Sequence, residues 1–255
     1  MNVLSIDIGI KNLAFCIANV KSDKHNKKLI IDIIDWKIIN LVESVICQEI
    51  KSCKCNAKFY LNKLDISNNE YPFYVCNKHS LKYNKNELNK FKNESSNVIS
   101  LINISDNIIK HLDKYFNEIR EKKKFNIKCL NNIIIENQIG PLAIRMKSIQ
   151  AMITMYFVYN KNKNIDYINS SNKLKFFIEK TKSYNERKKK SIEITKTLLE
   201  NTFNDKLYHK SNNNYNINIL DNNKIWLNEF DNNPKKDDLA DCLLQLLYFS
   251  IENYL

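Results

Sequence analysis

Asp7 closes the apolar run Val3-Leu-Ser-Ile-Asp-Ile8, where a carboxylate costs several kcal/mol unless it is paired, protonated or metal-bound. Glu136 repeats the arrangement at the exit of Ile133-Ile-Ile135. Acids at strand ends of an open sheet face the crevice in which ligands bind. The third element is Lys235-Lys-Asp-Asp-Leu-Ala-Asp241, in which Asp238 and Asp241 share one helical face and repel each other unless a cation lies between them. Together Asp7, Glu136, Asp238 and Asp241 suit phosphodiester hydrolysis with two Mg²⁺ about 4 Å apart, one activating water and one stabilising the leaving oxygen. Mn²⁺ is the natural substitute, because oxygen ligands select hard cations. Asp7 and the 237–241 segment also have bland alternatives. Asp7 could serve the Gly9 turn, Asp237 could be a helix N-cap, and residues 237–241 could be a solvated first turn favoured by the helix dipole.

A second group of chemically able residues is Cys47, Cys53, Cys55, Cys76 and His79. Cys76-Asn-Lys-His79 has the two-residue spacing that lets both side chains bind one tetrahedral ion, so a structural Zn²⁺ is expected with Cys53 and either Cys47 or Cys55. One of Cys47 and Cys55 is then superfluous. Cys16, Cys129 and Cys242 lie in apolar runs and are read as core.

The elements that must position these groups can be read from periodicity. Residues 3–8, 13–20 and 29–39 form three β-rich runs separated by short turns, an antiparallel meander. Residues 47–90 break the pattern and read as an insertion carrying the zinc ligands. A long amphipathic helix follows from about Ser95, with Ser95 or Ser96 able to cap it and Val98, Leu101, Ile102, Ile108, Ile109, Leu112, Phe116 and Ile119 on one stripe. Residues 131–136 are a strand, 142–159 a helix, 165–168 a strand, 185–203 a basic helix and 236–252 a closing helix. The Asn-rich stretch 212–223 reads as a solvent loop. Strands followed by strand–helix alternation predict an α/β domain over residues 1–255, with a mixed sheet flanked by helices and a zinc-binding insertion at 47–90.

Forty Lys and Arg against 28 Asp and Glu give a formal charge of +12, which makes a polyanion the first partner to consider. Arg145, Lys147, Lys173 and the run Arg187-Lys-Lys-Lys190 are the candidate phosphate contacts, although a lysine run is more often a solvated face. Ile149, Met152, Ile153, Tyr156 and Phe157 form an apolar stripe for core packing or a partner helix. An odd number of cysteines, with no secretory signature and no long apolar span, predicts an intracellular protein without a membrane anchor.

Ser5-Ile-Asp-Ile-Gly-Ile-Lys-Asn-Leu-Ala14, Ile135-Glu-Asn-Gln138 and Lys235-Lys-Asp-Asp-Leu-Ala-Asp-Cys242 resemble, in order and spacing, the active-site motifs of poxvirus-type Holliday junction resolvases. These are relatives of bacterial RuvC and fungal mitochondrial resolvases. Asn169-Ser-Ser-Asn-Lys-Leu174 is similar to that family's short segment followed by Lys, without its Pro. The resemblance implies an RNase H-like fold, a homodimer, and paired symmetric nicking of four-way DNA junctions, with Asp7, Glu136, Asp238 and Asp241 in the catalytic positions. The insertion departs from the compact poxvirus pattern and points to another large DNA virus or a related lineage, with a viral replication site in cytoplasm or nucleus if viral. Two competing classes remain at this level: a nuclease of the same fold with another DNA or RNA substrate, and a non-enzymatic zinc-bearing DNA-binding module. Actin-like ATPases, which share an Asp-x-Gly opening, need glycine-rich phosphate turns that a chain with two glycines lacks.

Overall fold

A computed structural model of the chain describes residues 1–42, 44–93, 98–139, 143–178, 183–200 and 215–255. Its main elements are, in chain order, β1 (Asn2–Ile8), β2 (Asn12–Asp23), β3 (Lys28–Asn40), β4 (Phe59–Leu64), β5 (Glu70–Val75), α1 (Asn77–Ser80), β6 (Asn89–Lys90), α2 (Leu101–Lys123), β7 (Asn132–Asn137), α3 (Ile144–Tyr159), β8 (Ile165–Asn169), α4 (Tyr184–Leu199), β9 (Asn216–Leu220), α5 (Ile225–Asn232) and α6 (Lys236–Tyr254). They form two compact units, one of Met1–Leu41 with Leu101–Leu255 and the other of Val42–Ser100.

In the first unit six strands make one mixed sheet in the order β8-β7-β1-β2-β3-β9. The antiparallel meander β1-β2-β3 is extended in parallel by β7 and β8 on one side and by β9 on the other. Gly9 permits the return from β1 to β2, because a Cβ there would lie 2.5 Å from the Asn12 carbonyl oxygen. Along β2, Ala14, Cys16, Ala18 and Val20 join the core beneath α6, while Phe15 points the other way and stacks on Tyr115 of α2 at 5.2 Å. A register shift between Ile17 and Ala18 leaves one extra residue in β3, so Ile33 and Trp36 both face α6. The Trp36 indole donates to the Leu239 carbonyl at 3.1 Å and ties α6 to the sheet. Residues of α4, α5 and α6 thus pack on one face of the sheet. On the other face α2 packs with α3 through Phe116, Tyr156 and Phe157. The mixed sheet flanked by helices is the expected architecture.

Several local expectations need correction. The Asn-rich stretch is not all loop: residues 216–220 form β9, paired in parallel with Lys28–Asp32, and Ile219 is buried. Its Asn-Ile-Asn-Ile alternation is a period-2 strand signal that the abundance of Asn conceals. On α2 the buried stripe is Ile104, Ile108, Leu112, Tyr115, Phe116 and Ile119, whereas Leu101, Ile102 and Ile109 are exposed, as is Val98 before the helix. Cys129 is exposed in a short 3₁₀ turn ahead of β7, while Cys16 and Cys242 are core. The helix ahead of residue 160 begins at Ile144, and α4 ends at Leu199. Ser95, Ser96, Gly140, Leu142 and residues 201–214 lie outside the described residues.

The second unit is a three-stranded sheet in the order β5-β4-β6 with the short helix α1. Its core is small, comprising Cys47, Leu61, Val75 and Cys76, with Cys53, Phe59, Phe73, Tyr83 and Leu88 packed against them.

Six described residues other than glycine have a left-handed backbone: Lys27, Asn68, Lys124, Lys161, Asn223 and Lys224, with φ between 48° and 70°. Lys161 ends α3, with Asn162 N–H donating to Phe157 O and Lys161 N–H to Val158 O, in a termination that glycine usually serves. Each such residue carries roughly 1–2 kcal/mol of backbone cost.

If β9 is a structural strand, Ile219→Ala should destabilise the protein by about 2–5 kcal/mol in urea unfolding. A change below about 0.5 kcal/mol, typical of exposed sites, would return the segment to the loop class.

Candidate active site

Asp7 and Glu136 sit at the exits of neighbouring parallel strands. Ile6 pairs with Ile135, so the next residues along β1 and β7 emerge side by side. Both turn toward α6, as the same-face residues Val3 and Ile134 do. Asp241, one helical turn beyond Asp238, reaches the same point from α6. At the centre lies Lys173, from the turn after β8. Its Nζ is 2.8 Å from Asp7 Oδ1, 3.2 Å from Asp241 Oδ2 and 3.3 Å from Glu136 Oε2. Only 3% of the Lys173 side chain is exposed, so it is not placed to reach a DNA backbone as the sequence reading expected; its cation is committed to the carboxylates.

Beneath the acids, Gln245 is fully buried one turn past Asp241. Its Nε2 donates to Ser5 Oγ and Ile6 O at 3.2 Å and to Ile134 O at 3.4 Å, linking α6 to the two strands that carry Asp7 and Glu136. Ser191 of α4 is also buried and hydrogen-bonds the Asp241 carboxylate. Neither was singled out in the sequence. The usable signal was a lone polar residue within Leu243-Leu-Gln-Leu-Leu247.

Electrostatics separate the acids. Burial raises the pKa of Asp7, but the Lys173 ammonium and hydrogen bonds from Glu136 and Lys173 outweigh it and hold Asp7 below the usual range. For Glu136 burial acts with the Asp7 carboxylate against ionisation and pushes the pKa up to about 9, despite Lys173. Asp241 is raised by burial, with Lys173 opposing. Asp238 is raised by burial and by the charges of Asp237 and Asp7. Burial would lower Lys173, yet the three carboxylates hold it well above its ordinary value. Three carboxyl groups around one ammonium, with Asp238 a turn away, leave too little positive charge for all to ionise in a site largely withdrawn from water, and the shift at Glu136 is its signature. An all-oxygen donor set with uncompensated anionic charge fits hard divalent cations.

The basic residues are distributed unevenly. Lys188 makes an ion pair with Asp237, so the start of α4 lies against the start of α6. Asp237 is therefore held in the first turn of α6 by Lys188, and the N-cap position falls to Lys235. Arg187 stacks on Tyr184 at 5.2 Å, Lys190 pairs with Glu193, and Lys189 is exposed. Lys147 is exposed on α3, whereas Arg145 is partly buried there. Of the apolar stripe on α3, Ile149, Ile153, Tyr156 and Phe157 are core.

In the second unit the ligand atoms of Cys47, Cys53, Cys76 and His79 all lie within 4.8 Å of one another. Cys47 Sγ is 3.1 Å and Cys76 Sγ 3.6 Å from His79 Nδ1. Cys55 is exposed and outside the group, so Cys47 is the residue brought to the cluster. Burial acts to raise the Cys76 thiol, but the N–H groups of His79 and Lys78 and the neighbouring Cys47 bring it below its usual value, toward the thiolate a metal requires. Three sulfurs and one imidazole nitrogen fit a tetrahedral soft or borderline ion.

An uncharacterized protein, L451, of Acanthamoeba polyphaga mimivirus is 27% identical, the match covering 98% of this chain and 74% of the relative. Among solved structures, the Fowlpox virus resolvase with substrate Holliday junction DNA is 18% identical, covering 100% of this chain and 99% of the other at a TM-score of 0.43. The Thermus thermophilus RuvC structure is 7% identical, covering 98% and 95%, also at 0.43. The family model described as mitochondrial resolvase Ydc2 / RNA splicing MRS1 matches residues 3–138, a span that holds β1 with Asp7 and β7 with Glu136. This chain belongs to the mitochondrial resolvase Ydc2 / RNA splicing MRS1 family.

Proposed function

We propose that the protein is a metal-dependent endonuclease that resolves four-way DNA junctions. The observation that carries this reading is the convergence of Asp7, Glu136 and Asp241 on one buried lysine at the strand exits, with Asp238 a turn away. The family name covers both a resolvase and an RNA-splicing protein. A complete set of buried acids, costly to keep without cations, favours hydrolysis over binding alone. Asp7, Glu136, Asp238 and Asp241 would hold the cations, Mg²⁺ or Mn²⁺, and the bound ions would supply Lewis acidity and an activated water for phosphodiester hydrolysis. Lys173 orients the carboxylates and limits their mutual repulsion. Gln245 holds β1 and β7 in register beneath them. Lys188 and its neighbours on α4 place positive charge beside the acids, where a phosphate backbone would lie.

Paired nicking calls for two copies of the site about a two-fold axis. Exposed Ile109, Met155 and Tyr159 border a groove of about 420 Å³ between α2 and α3, an apolar surface suited to a second copy. Sedimentation at micromolar concentration reads this directly, and a monomer there would remove the dimer. Cys47, Cys53, Cys76 and His79 would hold one structural Zn²⁺, whose four protein ligands leave no position for a reacting water.

Asp7→Asn, Glu136→Gln and Asp241→Asn should each lower junction cleavage by more than about 100-fold, the upper end of what losing a merely supporting group costs. Their binding of the junction, in competition with equal-length duplex, should stay near wild type. Wild-type cleavage by any of them excludes that residue. An intact protein that binds duplex and junction equally excludes the resolvase reading.

Magnesium should stabilise the protein more as pH rises. Glu136, with a pKa of about 9 in the metal-free fold, keeps its proton at neutral pH; that stabilising effect is full below its ordinary value of 4.5 and is lost as pH climbs through 9. A cation must displace this proton, a cost that falls by about 1.4 kcal/mol per pH unit. The Mg²⁺-induced rise in Tm should therefore grow between about pH 6 and pH 9. A flat or declining increment would show that the cation does not displace the Glu136 proton.

Zinc analysis should find one ion per chain. Cys55→Ser should keep it and Cys76→Ser should lose it; loss in the Cys55 variant would exchange the roles of Cys47 and Cys55.

A further inference from the structure

The sheet of the second unit has two unlike faces. Phe59, Leu61, Phe73 and Val75 point toward the cysteine cluster and are explained as the module's core. The opposite face carries Tyr60, Tyr74 and Phe91. Tyr60 pairs with Tyr74 across β4 and β5, their rings 6.1 Å apart. Phe91 N–H donates to Lys58 O at 2.7 Å, which extends the β4–β6 register by one residue and sets Phe91 opposite Lys58 on this same face. Tyr74 and Phe91 meet edge to face at 4.8 Å. All three rings stay partly exposed, and none belongs to the packed core of the module.

Charge identifies what such a surface would receive. Lys58 shares the face with the rings; Lys90, opposite Phe59, projects to the other side of the edge strand and Lys92 follows Phe91, so that positive charge lines this edge; all three are exposed. Of the described acids of the module, Glu70 shares this face by strand alternation but lies at the hairpin end, and the others are held elsewhere. Glu49 is held by Lys82 and Tyr83. Asp65 is folded into the β4–β5 turn, and Glu70 accepts from Asn62 at the hairpin end. Glu87 accepts from Asn84. Cross-strand ring pairs also stabilise a small sheet, but partly open rings with a cationic rim match a polyanion that exposes flat apolar bases. Duplex DNA buries its bases. Unpaired strands offer them, and base–aromatic stacking tolerates any sequence because every base has a π-face.

We propose that this face binds unpaired DNA, with bases stacking on Tyr60, Tyr74 and Phe91 and phosphates meeting Lys58, Lys90 and Lys92. The inference deepens the resolvase reading, on which it rests for its substrate. The module would hold bases released from pairing.

The test uses the full-length, zinc-loaded protein. Binding of an oligothymidylate and of duplex of equal length is measured for the wild type and for Tyr60→Leu/Phe91→Leu, which keeps apolar bulk but removes two rings. The variant should bind the oligothymidylate about tenfold more weakly or worse, with duplex affinity within about twofold and one zinc retained. An unchanged affinity, or a wild type that binds no oligothymidylate, overturns the proposal. Should the variant lose zinc, photo-crosslinking of the wild type to an oligonucleotide carrying 5-iodouracil decides. Adducts on Tyr60, Tyr74 or Phe91 support the site, and adducts only outside the module overturn it. A wild type that stacks thymidylate here but cuts no junction would sink the resolvase reading and leave this surface standing. One that cuts junctions while the variant binds thymidylate normally would do the reverse.

Discussion

Placing a lysine ammonium out of water between three carboxylates is the constraint around which the first unit is arranged. Removing Lys173 leaves the ionised acids uncompensated, and removing Asp7 takes away the ammonium's nearest partner; either costs several kcal/mol. The groups come from β1, β7, α6 and the turn after β8, so the site closes only when the sheet order, the parallel β1–β7 register and the seating of α6 are all correct. Gln245 and Trp36 can be understood in that light. One fixes α6 to the carbonyls of β1 and β7 and the other fixes it to β3, so that Asp241 arrives within hydrogen-bonding distance of a cation whose own segment lies 68 residues earlier in the chain.

Much of this arrangement was legible in the residues. An acid ending an apolar strand is conspicuous, so Asp7 and Glu136 stand out, and a mixed sheet follows from the strands and the strand–helix alternation after them. Lys173 was visible only as one of many lysines, because nothing local distinguishes a buried cation from a solvated one; its partners are supplied by the tertiary fold. The same limit applies to Ser191 and Gln245. Misreadings of β9 and of the α2 stripe have a different origin. Asn at alternate positions hid a strand, and isoleucine is so common here that exposed Ile102 and Ile109 completed a false helical face while Tyr115, a polar-tipped ring, was passed over. Between Cys47 and Cys55 spacing alone could not choose. The fold does so by burying one sulfur beside His79 and exposing the other.

The two groups of metal-competent side chains are chemically orthogonal. Oxygen donors gather in the first unit and sulfur donors in the second, so a thiophilic ion and a hard ion each have one favoured destination.

The left-handed residues have a consequence that reaches back to the gene. Lys and Asn occupy backbone positions, such as the one ending α3, where glycine would fit without steric cost. Codons for Lys and Asn are built from A and T in their first two positions, whereas glycine codons begin with two Gs, and this chain has only two glycines. At these turns the polypeptide carries a torsional cost that glycine would not, and replacing a residue such as Lys161 by glycine would relieve it.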